Sequence, residues 1–429
     1  MTTDFVIDVP ALQAQLPNRL MRIADEIRAA GGTGYLVGGW VRDALLGCPS
    51  RDYDIEVYGI EQEALLEILR HHGKPNLVGK SYGVINLIAK GNHFDFSFPR
   101  LESKVGVGHR AFAVETRSDL DFYTAALRRD FTINAMGMEL PSLTLIDPHG
   151  GQQDLQRKLL RHVGPAFAED SLRVLRGVQF AARFECTVAP ETVAMCRTLD
   201  LCELSKERLY EEFRKWLLKS QHPSYGLTAF CEMQLDRFFP WLHSQELSGA
   251  FLDEAASLRS GDELEQAVLM FGVLTQACPT QIDVQAFLEH LTNEIRILRQ
   301  VPALWREAPV LLAALDNGFA HQAPWLRRFA LRVSLPAACR WVRAFLQSEK
   351  RDTAQLSAVV SFAHTLDIWD KPPEPLLTGK MLLGMDLKPG RFFGEWIAES
   401  FELQLDGVLT SEEDVREWAI QRIKRCISR

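Results

Sequence analysis

The chain changes character once along its 429 residues, near residue 150, and that change bounds what it can fold into. Before it, strand and helix patterns alternate. Residues 10–30 read as an amphipathic helix ending at Gly31-Gly32. Tyr35–Val37 make a short strand running into Gly38-Gly39, and Trp40–Leu46 a helix stopped by Gly47. Asp52–Tyr58 alternate as a strand, and Glu61–His72 return to helix. Val84–Ala89 and His93–Phe98 read as a hairpin turned by Lys90-Gly91-Asn92, with Phe131–Leu140 and Leu143–Ile146 as two further strands. Past residue 150 the strand signals fade. Leucine-rich helical periodicity takes over, punctuated by prolines such as Pro190, Pro223, Pro240, Pro302 and Pro309. The expected fold class is α+β: a small mixed-sheet head over 1–146, then all-helical segments over 147–220, 221–330 and 331–429. The polar stretch Pro99–Thr124, with Gly106 and Gly108, has no clear period and is expected to be a mobile loop within the head.

Three short runs carry chemistry in the head. In Asp52-Tyr53-Asp54 the two carboxylates share one strand face about 7 Å apart, at roughly 3.3 Å per residue. Two metal ions of a two-metal site lie about 3.5–4 Å apart, so such a pair can hold them, and hard oxygen ligands beside a triphosphate suit Mg²⁺. Gly38-Gly39 precede a helix, where backbone can approach a phosphate, and Arg42 can clamp it. In Arg128-Arg129-Asp130-Phe131-Thr132-Ile133-Asn134-Ala135 the two arginines suit phosphate oxygens. Asp130 suits ribose hydroxyls, and Asn134 the orientation of the sugar. Asp95, opposite the three phenylalanines of His93–Phe98, is a third candidate acid if its strand neighbours Asp52–Asp54. Each run alone has an ordinary reading: a solvated strand, a tight turn, a surface ion pair. Their order and spacing argue against all three being ordinary at once. Asp147-Pro148-His149-Gly150-Gly151 reads mainly as a structural turn.

Glu169-Asp170-Ser171-Leu172-Arg173 bears on base choice. Cytosine and adenine both present an amino donor beside a ring-nitrogen acceptor, which a carboxylate and a guanidinium complement. Uracil and guanine reverse that pattern and leave both site groups unpaired. An Asp170/Arg173 pair can thus choose C and A without a nucleic-acid template. The plain alternative is an i, i+3 salt bridge at a helix start. Arg176, Phe180 and Arg183 continue the same helix and can meet a triphosphate or an RNA end.

Together these runs resemble the class II tRNA nucleotidyltransferase and bacterial poly(A) polymerase family over residues 20–220, and more weakly to Leu376–Leu383 and past Pro389. The resemblance implies a polymerase-β-like nucleotidyltransferase head, a helical neck that recognises the base, and an RNA-binding helical body and tail. It implies catalytic and metal-binding roles for Asp52 and Asp54. It implies nucleotide binding by Gly38, Gly39, Arg42, Arg128, Arg129, Asp130, Asn134, Glu169, Asp170, Arg173 and Arg176. The expected partners are the 3′ end of tRNA, CTP and ATP. Within the family the alternatives are addition of the whole CCA end, of only CC or only A, or of poly(A). Gly79–Asn86 departs from the basic run of the poly(A) enzymes, and the chain carries a net charge of −8, which favours tRNA. A full-length Pro99–Thr124 segment favours complete CCA addition. A non-catalytic RNA-binding protein is the rival from another class, against which the intact Asp52 and Asp54 speak.

The net acidity also means that RNA must meet a local basic patch rather than a global field. No apolar run approaches the roughly 20 residues of a membrane span, and no secretory signal is visible. Eight scattered cysteines without a C-x-x-C pair fit free thiols in a cytoplasmic protein. The histidines form no H-x-x-x-H pair and no His-Asp dipeptide, which argues against a zinc hydrolase or an appended phosphohydrolase. No DNA partner is expected, and the oligomeric state stays open.

Overall fold

The computed structural model describes residues 9–48, 51–78, 84–89, 91–104, 112–116, 120–385 and 387–427. Lys90, residues 79–83 of the run that departs from the poly(A) pattern, and Gly106 and Gly108 lie outside them. The chain divides into two compact units, residues 1–216 with 225–238, and residues 217–224 with 239–429.

The first unit opens with α1 (Val9–Gln15) and α2 (Asn18–Ala29) in place of the one helix expected over 10–30. The break falls at Pro17, which lacks an N–H and disfavours helical geometry in the residue before it. Then follow β1 (Thr33–Val37), α3 (Gly39–Leu45), β2 (Asp52–Tyr58), α4 (Gln62–His72), β3 (Asn76–Val78), β4 (Val84–Ala89) and β5 (Asn92–Ser97). After these come β6 (Arg100–Lys104), β7 (Phe112–Thr116), α5 (Phe122–Ala126), β8 (Gly137–Leu140) and β9 (Thr144–Ile146). Seven strands form one sheet in the order β3-β4-β5-β2-β1-β8-β9. Only β2 and β5 run parallel, which requires a crossover, and α4 lies within it.

The alternation of Asp52–Tyr58 divides the sheet's faces. Tyr53, Ile55 and Val57 are buried, with Ile55 and Ile27 of α2 both closing on Gly34. Asp52, Asp54 and Glu56 point to the other face. There Tyr35, Val37 and Tyr58 pack with Phe122, Ala125 and Ala126 of α5. Gly38, between β1 and α3, adopts φ 67° and ψ −128°, a region only glycine enters easily.

Two expectations for the head are corrected. Pro99–Thr124 is not one aperiodic loop, because β6 and β7 pair antiparallel within it and α5 begins at Phe122. Neither Arg100–Lys104 nor Phe112–Thr116 alternates cleanly between apolar and polar residues, so the local strand signal is weak. Residues 131–136 are not strand either. Thr132–Asn134 form a 3₁₀ turn, and the strand starts only at Gly137. All six residues from Phe131 to Met136 are buried, which a turn wrapped by neighbours achieves and a strand with one open face does not.

The unit continues with α6 (Gly151–Gln156), β10 (Leu159–Leu160), α7 (Leu172–Phe184), β11 (Thr187–Val188), α8 (Pro190–Thr198), α9 (Lys206–Lys219) and α10 (Ser224–Glu232). The Asp147 carboxylate accepts from Gly151 N and Gln152 N at 2.8 Å each, capping α6. Asp154 of α6 is buried and accepts from Thr132 Oγ1 at 2.8 Å. Phe131 meets Phe180 of α7 edge-on at 5.8 Å, which seats α7 on the 3₁₀ turn.

The second unit holds α11 (Gly249–Ser257), α12 (Glu263–Leu274), α13 (Gln281–Leu291), α14 (Ile295–Asp316), α15 (Ala323–Ala330), α16 (Leu335–Ser348) and α17 (Ala354–Thr365). It ends with α18 (Gly379–Leu383), α19 (Arg391–Leu405) and α20 (Glu412–Ile427). α12, α13 and α16 all pack on α14. Pro302 and Pro309 do not punctuate the helices as expected but sit inside α14. Each leaves the carbonyl four residues earlier without its helical donor. Leu377, Leu382, Trp396, Leu409, Val415 and Ala419 form a separate small core. Among the described residues no helix is long and apolar enough to cross a membrane.

The seat of the 3₁₀ turn yields a test. A Cβ on Gly151 would stand 2.2 Å from Thr132 O and 2.9 Å from Met136 Cγ. Gly151→Ala is expected to destabilise the first unit by at least about 2 kcal/mol. Gly394→Ala, in α19 with nothing within 4 Å, is expected to be neutral or stabilising by up to about 1 kcal/mol. Denaturant unfolding of both variants checks the contrast, and equal midpoints would refute the close packing of the turn.

Candidate active site

The carboxylate face of the sheet opens onto a pocket of about 600 Å³. Pairing fixes the acids. Asp54 on β2 stands opposite Asp95 on β5, and Asp52 stands opposite His93. The third acid expected from sequence thus sits on the neighbouring strand. Asn86 of β4, next in the same row, donates to Asp95 Oδ1 at 2.5 Å. Asp54 is exposed on the strand face, but partial desolvation beside the pocket pushes its carboxyl above its ordinary value, and the nearby Asp95 and Asp52 add to this against Arg129.

The R-R-D-F-T-I-N-A run contributes a chain of polar contacts. Arg42 Nη1 donates to Asn134 Oδ1 at 2.6 Å, and Asn134 Nδ2 donates to Asp130 Oδ1 at 3.0 Å. Phe131 N donates to the same oxygen at 2.8 Å. Arg176 of α7 reaches Asp130 Oδ2 with Nε at 2.8 Å and Nη2 at 2.6 Å. Asp130 is only 7 % exposed. Burial pushes its carboxyl up, but Arg176, Asn134 and Phe131 N together outweigh that and hold it below the ordinary carboxylate value. Arg129 donates to Glu56 Oε2 and to Asn134 O, both at 3.3 Å.

Asp170 and Arg173 do not both lie on a helix. α7 begins at Leu172, and Asp170 lies before it with extended backbone. Arg208 of α9 donates to both Asp170 carboxylate oxygens, at 3.1 and 3.0 Å. Arg173 donates to Ala166 O and Arg128 O at 2.6 Å each. Both side chains line the pocket.

Of the residues singled out in sequence, Gly38, Gly39, Arg42, Asp54, Arg128 and Arg129 line this one pocket. Asp130, Asn134, Asp170, Arg173 and Arg176 line it too. Asp52, Asp95 and Glu169 do not; Asp52 is exposed at the start of β2. Arg208 was not anticipated. It lies 38 residues after Asp170 in sequence, on a helix with no local signature, and only the packing of α9 brings it in. Seven of the fifteen lining residues are arginine and three are aspartate, so the pocket is cationic in a chain of net charge −8.

Among the described residues no three His, Cys, Asp or Glu side chains converge as a self-sufficient metal cluster. The acids present still fit Mg²⁺. That ion commonly takes one or two carboxylates and completes its shell with water and substrate phosphate oxygens. A dication beside Asp52 and Asp54 would also relieve the mutual repulsion that raises Asp54.

A cationic pocket beside paired carboxylates, on a mixed sheet followed by helices, defines a nucleotidyltransferase with a polymerase-β-like head. The Poly A polymerase head domain family matches residues 34–161. The Multifunctional CCA protein of Xanthomonas campestris pv. campestris (strain B100) is 43% identical over 326 residues, 68% of this chain and 77% of that protein. That of Dechloromonas aromatica is 43% identical over 195 residues, 44% of this chain and 45% of that protein. The Thermotoga maritima CCA-adding enzyme complexed with tRNA_CCA superposes with a TM-score of 0.67 at 21% identity, over 97% of this chain and 98% of that one, a likeness of fold. The chain belongs to the class II CCA-adding tRNA nucleotidyltransferase and bacterial poly(A) polymerase family.

The raised Asp54 carboxyl predicts a trade between activity and stability. Its charge is disfavoured in the folded chain, and solvent screens part of that cost because Asp54 is exposed, so Asp54→Asn is expected to raise the thermal midpoint slightly in metal-free buffer at neutral pH while removing turnover. The gain is full above the folded-state pKa and vanishes below the unfolded value of about 3.9, where Asp54 is protonated in both states. Thermal melts in EDTA across pH 3–8 check this. A variant no more stable than wild type at pH 7 would contradict it.

Proposed function

We propose that this chain builds or repairs the 3′-terminal CCA of tRNA from CTP and ATP, without a nucleic-acid template and with release of pyrophosphate. The observation that carries the reading is the single cationic pocket in which Gly38-Gly39, Asp54, Asp130, Asn134, Asp170 and Arg173 meet. The tRNA 3′-hydroxyl attacks the α-phosphorus, and pyrophosphate leaves. Asp52 and Asp54 would hold Mg²⁺, which when bound acidifies the attacking hydroxyl and neutralises charge on the triphosphate. Asp95, beside Asp54, serves as a further ligand or accepts the hydroxyl proton. Arg42, Arg128 and Arg129 bind phosphate oxygens. Asp130 and Asn134 contribute first through the scaffold they form beneath the sugar, since their side chains already bond Arg176 and Arg42. Asp170 and Arg173 read the base edge, with Glu169 beside them. The RNA rests on helices of the body and tail, residues 221–330 and 331–429, and the work is cytoplasmic.

The test is incubation with tRNA transcripts ending before CCA, after CC and at full length, with each NTP alone and in pairs. Two C residues then one A on the shortest transcript, and none on the full-length one, are expected. Arrest after CC, A addition only, or a poly(A) tract would assign one of the partial or poly(A) activities instead. No incorporation under any condition would leave an RNA-binding role.

Base choice gives a sharper prediction. Arg173→Ala and Asp170→Ala are expected to lower the preference for CTP and ATP over UTP and GTP by about 1–3 kcal/mol for each hydrogen bond lost. UTP should gain most in Asp170→Ala, because repulsion against its carbonyl disappears. Steady-state kcat/KM for all four NTPs on one transcript decides this. A four-way ratio unchanged in both variants would sink the templating role.

A further inference from the structure

Three arginines of the pocket crowd around two phenylalanines of α7. Arg42 lies over Phe184 at 4.2 Å and over Phe180 at 5.6 Å. Arg176 lies over Phe180 at 5.0 Å. Arg183 lies over Phe184 at 5.3 Å and over Phe180 at 5.9 Å. Two of the three have protein counter-charges: Arg42 pairs with Asp43, and Arg176 with Asp130. Arg183 does not. Its Nη1 donates to Gln179 Oε1 at 3.3 Å, a neutral amide on its own helix, and among the described residues it forms no ion pair. Asp43 and Glu212 are the acids that act on it, and each is held by another cation, Arg42 and Lys215. Burial, then the neighbouring Arg42, push its guanidinium below the ordinary arginine value. Aromatic faces stabilise a cation by only about 0.5–2 kcal/mol. They leave the mutual repulsion of three guanidinium groups in a partly desolvated wall.

Arg173, Arg176, Phe180 and Arg183 recur at i, i+3, i+7 and i+10 on α7, and all four line the pocket. Arg183 therefore faces the same space as the proposed nucleotide site, at the far end of the helix from the base-reading Asp170 and Arg173. A polyphosphate is the anion that suits this end. It carries several charges, spans more than one guanidinium, and accepts bidentate hydrogen bonds.

We propose that Arg183 binds the pyrophosphate portion of the incoming nucleotide, supplying the cluster's missing counter-charge from the substrate. This rests on the nucleotide reading of the pocket and extends it to a residue set by charge balance. On this assignment Arg183 donates to β- and γ-phosphate oxygens in the bound triphosphate and to the same oxygens of the departing pyrophosphate. It does not touch the base, so both CTP and ATP depend on it equally.

The experiment is equilibrium binding of CTP, CMP and inorganic pyrophosphate, at fixed Mg²⁺, to wild type, Arg183→Gln and Arg183→Lys. Phenylglyoxal labelling of the wild type with and without pyrophosphate accompanies it. Arg183→Gln is expected to weaken CTP and pyrophosphate together by about tenfold or more, with CMP within about twofold. Arg183→Lys should recover part of the loss by restoring charge. In the wild type, pyrophosphate should shield Arg183 from labelling, a readout that needs no variant to fold. Unchanged pyrophosphate affinity in Arg183→Gln, or labelling of Arg183 indifferent to pyrophosphate, overturns the assignment. Equal weakening of CMP and pyrophosphate also overturns it, because it marks a purely structural role. If wild type binds neither CTP nor pyrophosphate, the nucleotide reading of the pocket fails first.

Discussion

Removing the Asp130 carboxylate from water costs several kcal/mol unless its oxygens are met by donors of good geometry. Here three residues meet it with four donors: Asn134 and the Phe131 N–H on one oxygen, Arg176 twice on the other. They come from two pieces of local structure, the 3₁₀ turn and α7. Asn134 ends the 3₁₀ turn, Phe131 begins it, and Arg176 belongs to α7. Satisfying one buried charge therefore fixes the turn against the helix. Asn134 passes the constraint to Arg42 on α3, so the glycine-rich end of the pocket and the helix that carries Arg173 are set by one polar chain. Such a network is stable when complete and costly when one member is lost.

The same chain explains how an acidic protein offers an anion a place to sit. Net charge says nothing about where charge is concentrated. The pocket draws arginines from α3, α7, α9 and the segment before the 3₁₀ turn. Counter-charge returns through Asp54, Asp130 and Asp170 in its walls and through Asp43 and Glu56, which pair with Arg42 and Arg129. The excess of arginine over aspartate in the lining faces the space where a triphosphate and a metal would lie. The acids on the sheet repel one another, and the arginines on the helix do the same. A nucleotide bound with its cation would relieve both.

Much of this was legible in the chain, for reasons of range. Asp52 and Asp54 share a strand face because side chains alternate with period two, a purely local fact. The glycine pair before α3 and the arginine face of α7 are local as well. Asp95 could be suspected but not joined to Asp54, because that depends on which strands pair. Phe131–Met136 were misread because an apolar run looks the same whether it is buried in a turn or a sheet. The β6–β7 ribbon was hidden because neither Arg100–Lys104 nor Phe112–Thr116 alternates cleanly between apolar and polar residues. Arg208 gave no local sign at all, since its place beside Asp170 comes from helix packing. The two prolines inside α14 show that a breaker can be absorbed when tertiary contacts hold both halves of a helix.

The most direct test of this account is a double-mutant cycle between Asn134→Ala and Arg176→Ala, read as kcat/KM for CTP and as unfolding free energy. The two side chains bond the same carboxylate through different oxygens, so their effects should couple through Asp130. The account predicts a coupling energy above about 1 kcal/mol in both readouts. Additive effects within about 0.5 kcal/mol in both would contradict it, because the two ends of the pocket would then be held independently.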